Sequence, residues 1–294
     1  FLVIIRVTIT TRLDKITSAR VWVPIFVAVM TGIFAMYLAT KGLSRIWKPG
    51  WGVTIPLGIA FGALGWFAAM PWVRHQSRHM ENRKKHVAAL FRLPLIVSAA
   101  LLSFAHGAND VANAIGPFAA IVTAIQTGHG EVAGISLPFW VLAIGAIGIS
   151  LGLALFGPRL IRTVGEQITK LNEIRAFCAA LSAAVTVLVA SALGMPVSST
   201  HIAVGAVFGV GFLREYISRR DMKDNAVPIN ARFVDPTQLN ATPQEALANA
   251  RRAETRMLVR RQHFYSIAAA WVITVPASAA VSAVLYFGLS LLMG

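Results

Sequence analysis

The sequence predicts an all-α protein that crosses a membrane several times as a helical bundle. Of its 294 residues, 56% are hydrophobic and only 13% are charged, and the mean hydropathy is +0.66. Soluble domains carry about 25% charged residues. Several apolar runs also approach or exceed the roughly 20 residues that a membrane-spanning helix needs. Composition, hydropathy and run length therefore agree on a polytopic transmembrane protein, with the lipid bilayer as its surroundings.

Residues 1–73 are predicted to form the N-terminal transmembrane spans. The apolar runs at residues 21–40 and 51–73 are each long enough to cross a bilayer. Gly58 and Gly62 are four residues apart in the second run, so they share one helix face. Small residues at this spacing favour close contact with another helix.

Residues 74–92 form a basic linker, which we place in the cytoplasm because cytoplasmic loops carry an excess of Lys and Arg. Residues 93–213 contain two polar motifs within apolar runs. The first two runs of this region, 93–125 and 135–156, are predicted to span the membrane. The short loop between them, 126–134, is then external.

Two shorter apolar runs, 176–193 and 202–213, complete this region. Each is too short to span comfortably, so we predict a re-entrant hairpin that returns to the side from which it entered. The loops before residue 93, after residue 156 and after residue 213 are all basic, which agrees with two crossings and a hairpin that each time return the chain to the same side. Two complete spans in place of the hairpin would satisfy the charge pattern equally well.

Residues 214–262 are predicted to be a basic cytoplasmic loop, and residues 263–294 the final transmembrane helix. The net charge of +15 lies almost wholly in the loops, where it suits anionic lipid. No basic tract has interleaved aromatic residues, so nucleic acid is not a predicted partner. Cys178 lies alone in an apolar run, which excludes an intrachain disulfide. No cluster has metal-ligand spacing, so neither a metal nor a cofactor is predicted.

The first motif places four polar residues at the centre of the run at 93–125: His106, Asn109, Asp110 and Asn113. Ionisable groups at membrane depth are costly and usually face a pathway or a partner. Gly107 and Ala108 weaken the helix, and Asn109 or Asp110 would cap a second segment. Pro117 frees the carbonyl of Asn113. We therefore predict a broken helix whose oxygens suit a hard cation such as Na⁺. An alternative interpretation is that these side chains only hold neighbouring helices together.

The second motif is Gly194-Met-Pro-Val-Ser-Ser-Thr-His201. Pro196 disfavours helical geometry at the residue before it, so the chain is predicted to break here. The hydroxyls of Ser198, Ser199 and Thr200 would then lie at the start of the next helix. A helix N-terminus with hydroxyl donors suits an anion such as phosphate or sulfate. In the alternative, the hydroxyls only cap their own helix. We interpret His106 and His201, one beside each motif, as structural hydrogen-bonding residues, with a proton relay as the lesser hypothesis.

The two motifs together resemble those of a known family. Gly107-Ala-Asn-Asp-Val-Ala-Asn-Ala114 resembles the signature of the inorganic phosphate transporter (PiT or PHO-4) family, and Pro196-Val-Ser-Ser-Thr-His201 resembles its hairpin motif. The resemblance covers residues 90–294 well and the rest weakly. The family has two inverted repeats with both motifs in each, whereas this sequence has one copy of each. Because the chain also begins with Phe1, the resemblance implies a C-terminal repeat portion whose partner is an N-terminal repeat.

The resemblance implies a secondary transporter that carries inorganic phosphate together with a coupling cation, Na⁺ or H⁺. Asp110, Ser198, Ser199 and Thr200 would bind the phosphate. Asn109, Asp110 and Asn113 would bind the cation. A carboxylate beside an anion requires a bound cation or proton, because like charges repel in a low dielectric. The expected location is a bacterial inner membrane.

Three alternatives remain open at this point. The same fold would suit sulfate or another tetrahedral oxyanion. A channel would share the membrane topology. An enzyme using His106 and Asp110 as acid and base would need a nucleophile or metal that the sequence does not offer, so an enzyme is not predicted.

Overall fold

The computed structural model describes residues 1–42, 49–127, 139–162, 171–226 and 261–293, and within these ranges it contains helices and no strand. Nine α-helices and two π-helical turns are described. They are α1 (Leu2–Ile5), a π-turn (Arg6–Thr10), α2 (Lys15–Tyr37), a second π-turn (Leu38–Gly42), α3 (Trp51–Gln76), α4 (Lys84–Leu90), α5 (Arg92–Thr127), α6 (Phe139–Arg162), α7 (Glu173–Ala192), α8 (Ser199–Ala226) and α9 (Arg261–Met293). Six of them, α2 with the turn after it, α3, α5, α6, α7 and α9, are long and apolar enough to cross a membrane. The predicted all-α transmembrane fold is confirmed.

The chain divides into two compact units. The first comprises Phe1–Ile161 and Leu171–Val210, and it contains both motifs. The second comprises Arg162–Lys170 and Gly211–Gly294, so it includes the end of α8 and all of α9. Nearly all described side chains of α9 are exposed, as expected for a helix that meets lipid.

Helices α2 and α3 approach each other closely through glycines. A Cβ atom on Gly58 would lie 2.4 Å from the Cγ of Met36, and one on Gly62 would lie 3.1 Å from the carbonyl oxygen of Ala28. From the other helix, a Cβ on Gly32 would lie 2.8 Å from the carbonyl oxygen of Gly58. Larger residues would push the helices apart, so the predicted contact face at Gly58 and Gly62 is confirmed.

An aromatic cluster in the first unit joins α2, the α4–α5 junction and α7. The ring of Phe177 lies 5.8 Å from that of Phe26 and 5.5 Å from that of Phe91. Phe91 and Phe177 are both fully buried. Farther along, Phe104 of α5 packs edge-on against Phe34 of α2 at 5.2 Å. These contacts fix α5 and α7, the helices that lead to the two motifs.

The predicted break in the first motif is wrong, because α5 continues without interruption from Arg92 to Thr127. A glycine inside a helix costs only about 1 kcal/mol relative to alanine. Proline is tolerated inside such helices where neighbouring groups satisfy the freed carbonyl. Asn109 does not cap a second segment here; its side-chain amide hydrogen-bonds the carbonyl of Val197 instead. The polar groups therefore project from an intact helix.

The predicted break in the second motif is confirmed. Helix α7 ends at Ala192, and Gly194 has a φ of +71°, a conformation that favours glycine. The N–H of Gly194 donates to the carbonyl of Ser191 at 3.1 Å, and the N–H of Met195 donates to that of Ala190 at 2.9 Å. This pair of bonds closes the helix end.

The lengths of the two helices around that break differ from the prediction. Helix α7 has 20 residues and is long enough to cross a membrane. It starts earlier than predicted because the side chain of Asn172 caps it, accepting the N–H of Arg175 at 3.1 Å. Helix α8 continues to Ala226, past the predicted start of the loop at residue 214. The pair Glu215–Arg219, at 2.5 Å and one turn apart, stabilises this extension.

Some predictions fall on residues outside the described ranges. These are most of the external loop at 126–134 and most of the cytoplasmic loop at 214–262. The domain boundaries and the re-entrant position of the α7–α8 hairpin stay predictions.

Candidate functional site

The structure brings the two polar motifs into direct contact. The hydroxyl of Ser199, the first residue of α8, donates a hydrogen bond to Oδ1 of Asp110 on α5 at 2.7 Å. Ser199 is only 2% exposed. The two residues are 89 positions apart, so only the packing of the helices joins them. We call Ser199, Asp110, Asn109 and His106 the motif junction.

His106 is part of this junction, although from the sequence we interpreted it first as a structural hydrogen-bonding residue and only second as part of a proton relay. Its Nδ1 lies 2.5 Å from Oγ of Ser199 and 3.2 Å from Oδ2 of Asp110. Ser199 has a single hydroxyl hydrogen, which points at Asp110. His106 must therefore supply the hydrogen of its own contact with Ser199. The signal in the sequence was the spacing of four residues between His106 and Asp110, which places both on one helix face.

The amide groups of Asn109 and Asn113 hold the loop before α8. Their Nδ2 atoms donate to the carbonyl of Val197 at 2.7 and 2.9 Å. Asn109 is 5% exposed, and its Nδ2 also donates to Oδ1 of Asp110 at 3.1 Å. Because a carbonyl only accepts hydrogen bonds, the nitrogens and not the oxygens of both amides face the loop. The three predicted cation ligands lie together, but with Asn109 and Asn113 engaged as donors.

The amide oxygen of Asn109 has a different neighbour. The hydroxyl of Ser191, on the last turn of α7, lies 3.5 Å from it. Neither Ser191 nor the Val197 carbonyl is predicted from the sequence, because Ser191 lies in an apolar run and Val197 has an apolar side chain.

The three predicted phosphate-binding hydroxyls have different positions. Ser198 caps α8, since its Oγ accepts the N–H of His201 at 3.3 Å, and it also contacts Nδ1 of that residue. Thr200 is exposed in the first turn of α8. Only Ser199 reaches the carboxylate of Asp110. The capping alternative therefore describes Ser198, whereas Ser199 belongs to the motif junction.

A cavity of about 460 Å³ lies beside the junction. It is lined by Asn109 and Asn113 of α5, Ser191 of α7, the loop at Gly194–Pro196 and Tyr37 of α2. Its volume falls in the range of small-ligand sites, which are about 300–1,000 Å³. Within the described part of the chain, no group of three or more His, Cys, Asp or Glu side chains is placed to hold a metal ion.

Comparison with known proteins agrees on one family. The family model described as "Phosphate transporter family" matches residues 1–282. A protein of Helicobacter pylori strain J99 that carries the name phosphate permease is 40% identical, over 98% of this chain and 61% of its own length. A Toxoplasma gondii protein named sodium-dependent phosphate transporter is 39% identical, over 65% of this chain and 21% of its own.

One solved structure is also similar. It is described as the sodium-dependent phosphate transporter and matches with a TM-score of 0.71 and 31% identity, covering 99% of this chain and 61% of that one. The chain thus spans about three fifths of the Helicobacter relative and of the solved chain.

Proposed function

The chain belongs to the phosphate transporter family, and from this premise we propose that its transporter carries inorganic phosphate across a membrane together with a coupling cation. The observation that carries the proposal is the hydrogen bond of 2.7 Å between Ser199 and Asp110. It brings together a carboxylate, which suits a cation, and a helix N-terminus, which suits an anion, at one point among apolar helices.

Coupling follows from the single hydrogen of Ser199. In the arrangement described, this hydrogen is donated to the carboxylate of Asp110. A phosphate at the start of α8 would need the same hydrogen, and it would also be repelled by the charged carboxylate. A cation or proton at Asp110 removes both obstacles, because it neutralises the carboxylate and frees the Ser199 hydroxyl to turn to phosphate. Each ligand therefore favours binding of the other.

The other side chains have distinct roles in this proposal. Asn109 and Asn113 hold the Val197 carbonyl and so keep the start of α8 against α5. Thr200 and the first backbone N–H groups of α8 add donors for the phosphate. Ser198 keeps the helix end capped. The cation binds at Asp110, with the amide oxygen of Asn109 as its second protein ligand once the Ser191 hydroxyl has moved.

Sodium is the cation we propose. Two similar proteins are described as sodium-dependent, one of them the solved structure. A carboxylate and neutral oxygens are suitable ligands for such a hard cation. Since the Helicobacter relative is bacterial, we place the transporter in a bacterial inner membrane.

The contacts of His106 argue against an enzyme built on the same residues. A serine hydrolase uses one imidazole nitrogen for the serine and the other for the carboxylate. Here Nδ1 of His106 faces both Ser199 and Asp110. The ring therefore cannot take a proton from the serine through one nitrogen while the carboxylate holds the other, and we propose a transporter without enzymatic activity.

The test is phosphate uptake by the full-length transporter in proteoliposomes, with an imposed Na⁺ gradient or an imposed proton gradient. We expect saturable uptake that the Na⁺ gradient drives and that excess sulfate inhibits weakly. Uptake driven only by the proton gradient would mean that the coupling cation is H⁺ and not Na⁺. Equal inhibition by sulfate would widen the substrate to tetrahedral oxyanions, and non-saturable flux without any gradient would indicate a channel.

A further inference from the structure

A second polar feature of the first unit lies away from the motif junction. A groove of about 590 Å³ runs between the start of α2 and the end of α3. Three arginines line it, Arg20, Arg74 and Arg78, together with an apolar floor that includes Ile25, Trp66 and Met70. We call this the basic groove. The transport proposal does not use any of these residues.

Arg20 is held in position by Ser77, the buried residue that follows α3. Its Nε donates to Oγ of Ser77 at 2.7 Å and its Nη2 donates to the carbonyl of Ser77 at 3.1 Å. A guanidinium has five N–H donors, so three remain for a ligand. A positioned guanidinium loses less entropy on binding than a mobile one. One of the three arginines of the groove is thus held in position before a ligand binds.

Arg74 and Arg78 supply charge that the described residues do not neutralise. Both are exposed, and among the described residues no carboxylate lies within 4.0 Å of either one. The nearby carboxylate of Asp14 caps α2 and accepts the Thr17 hydroxyl at 2.6 Å. The groove lining therefore contains three positive charges and no acidic residue, which is suited to a phosphate group because guanidinium forks bind phosphate oxygens in pairs.

The groove changes from charged to apolar along its length. At a rise of about 1.5 Å per residue, Trp66 lies about 12 Å from Arg74 along α3, and Ile25 lies about 7.5 Å from Arg20 along α2. A soluble phosphate ion would use the arginines and leave the apolar floor open to water. A phospholipid would use both, with its phosphate on the arginines and an acyl chain on the floor. Basic pockets between membrane helices bind anionic headgroups in this way.

We propose that the basic groove binds an anionic phospholipid, with the lipid phosphate on Arg20, Arg74 and Arg78 and an acyl chain against Ile25, Trp66 and Met70. Like the transported substrate, this ligand presents a phosphate group, but it comes from the bilayer. The site is separate from the motif junction, so the proposal stands or falls independently of the transport proposal.

The experiment measures quenching of Trp66 by brominated lipid. The full-length transporter is placed in nanodiscs of phosphatidylcholine that contain increasing fractions of phosphatidylglycerol with brominated acyl chains. The Trp66 signal is the tryptophan fluorescence of the unchanged protein minus that of the Trp66→Phe variant. This subtraction removes the contribution of the other tryptophans. We expect this signal to be quenched at a much lower fraction of brominated phosphatidylglycerol than of brominated phosphatidylcholine.

Two matched double variants test the arginines. Arg74→Gln with Arg78→Gln should raise the phosphatidylglycerol fraction needed for half-quenching roughly twenty-five-fold, since each arginine that contacts the lipid headgroup contributes a factor of about five. Arg12→Gln with Lys85→Gln removes the same charge from exposed positions outside the groove. We expect this pair to shift half-quenching less than about twofold.

Three outcomes would overturn the proposal. Equal quenching by both brominated lipids would mean that the groove does not select an anionic headgroup. Equal shifts in the two double variants would assign the effect to general surface charge. Loss of quenching on addition of inorganic phosphate, at constant ionic strength, would assign the groove to the soluble anion.

Discussion

The motif junction and the basic groove are both polar regions among apolar helices, yet their polar groups are in opposite states. In the junction, Ser199 and Asn109 are 2% and 5% exposed, and each hydrogen-bonds Asp110. In the groove, Arg74 and Arg78 are exposed, and no carboxylate lies within salt-bridge distance of them among the described residues. One region is satisfied by the protein itself, and the other offers unpaired charge to a ligand.

The difference has a physical reason. A buried polar group without a partner costs about 1–3 kcal/mol, so a buried site has to be satisfied when it is empty. Ligands then bind the junction by exchanging hydrogen bonds, and exchange makes the binding of one ligand depend on another. An exposed guanidinium is hydrated and needs no protein partner. The groove can therefore gain a ligand without giving up an internal contact.

The largest effect that would test this comparison is expected at Asp110. Asp110→Asn keeps the size of the side chain but removes the charge that balances the cation. Phosphate uptake by the full-length transporter should be nearly abolished, while the amount of protein inserted in the membrane stays unchanged. The matched control is Asp14→Asn, which neutralises an exposed carboxylate outside the junction and should leave uptake intact. Normal uptake by Asp110→Asn would rule out a cation site at this carboxylate.

The next effect separates Ser199 from Ser198. Ser199→Ala and Ser199→Gly both remove a hydroxyl that would donate to phosphate. Each should weaken phosphate binding by about 1.5–3 kcal/mol, which raises the half-saturating phosphate concentration roughly ten- to a hundredfold. Ser199→Thr restores a hydroxyl and should largely rescue binding. The measurement is the phosphate concentration at half-maximal uptake, at matched expression.

Ser198 is the control for that measurement because it caps α8. Ser198→Ala should lower stability by about 0.5–2 kcal/mol, and Ser198→Gly by only a few tenths. Neither should change half-saturation more than about twofold. If Ser199→Gly instead repairs the defect of Ser199→Ala, Ser199 acts as a cap and the anion site depends on backbone N–H groups alone.

A smaller effect compares two asparagines that share an acceptor. Asn109→Ala removes a buried amide that bonds both Val197 and Asp110, so we expect a loss of about 1–3 kcal/mol in stability. Asn113→Ala removes an exposed amide from the same carbonyl and should cost less than about 1 kcal/mol. Thermal unfolding can be followed by the reaction of a thiol-specific dye with Cys178, which is buried in the folded chain. Equal Tm shifts would contradict the proposed difference in burial between the two amides.

The smallest effect concerns the end of α2 that borders the basic groove. Hydrogen bonds from the Thr17 hydroxyl and backbone, with a smaller effect from Arg20, lower the pKa of Asp14 below its usual 3.8. A lowered pKa in the folded state stabilises the fold above pH 3.8, and the contribution is lost as the pH falls through the lowered value.

The difference in Tm between the unchanged protein and Asp14→Ala should therefore be constant near neutral pH. It should shrink below pH 3.8. A difference that does not depend on pH would mean that the charge of Asp14 takes no part in capping α2.

The sequence by itself determined the features that depend on local composition and backbone chemistry. Apolar run length located all but α7 of the six described helices that are long and apolar enough to cross a membrane, because a bilayer requires about 20 apolar residues whatever surrounds them. The glycine and proline of Gly194–Pro196 located the end of α7, because glycine adopts a φ of +71° at little cost. Gly58 and Gly62 located the contact face of α3, because their spacing leaves a groove on the helix surface.

The tertiary structure alone decided what the polar groups do. Asn109 or Asp110 was expected to cap a second segment after a break at Gly107 and Ala108, but α5 is continuous and the Asn109 amide bonds the Val197 carbonyl, 88 positions away. Of three adjacent hydroxyls, only Ser199 meets Asp110, at the start of α8, which the amides of Asn109 and Asn113 hold to α5 through the Val197 carbonyl. The basic groove exists because α2 and α3 bring arginines from two segments of the chain together. Hydrogen bonds and ion pairs depend on the distance between groups in space, and the pattern of residues along the sequence does not contain that distance.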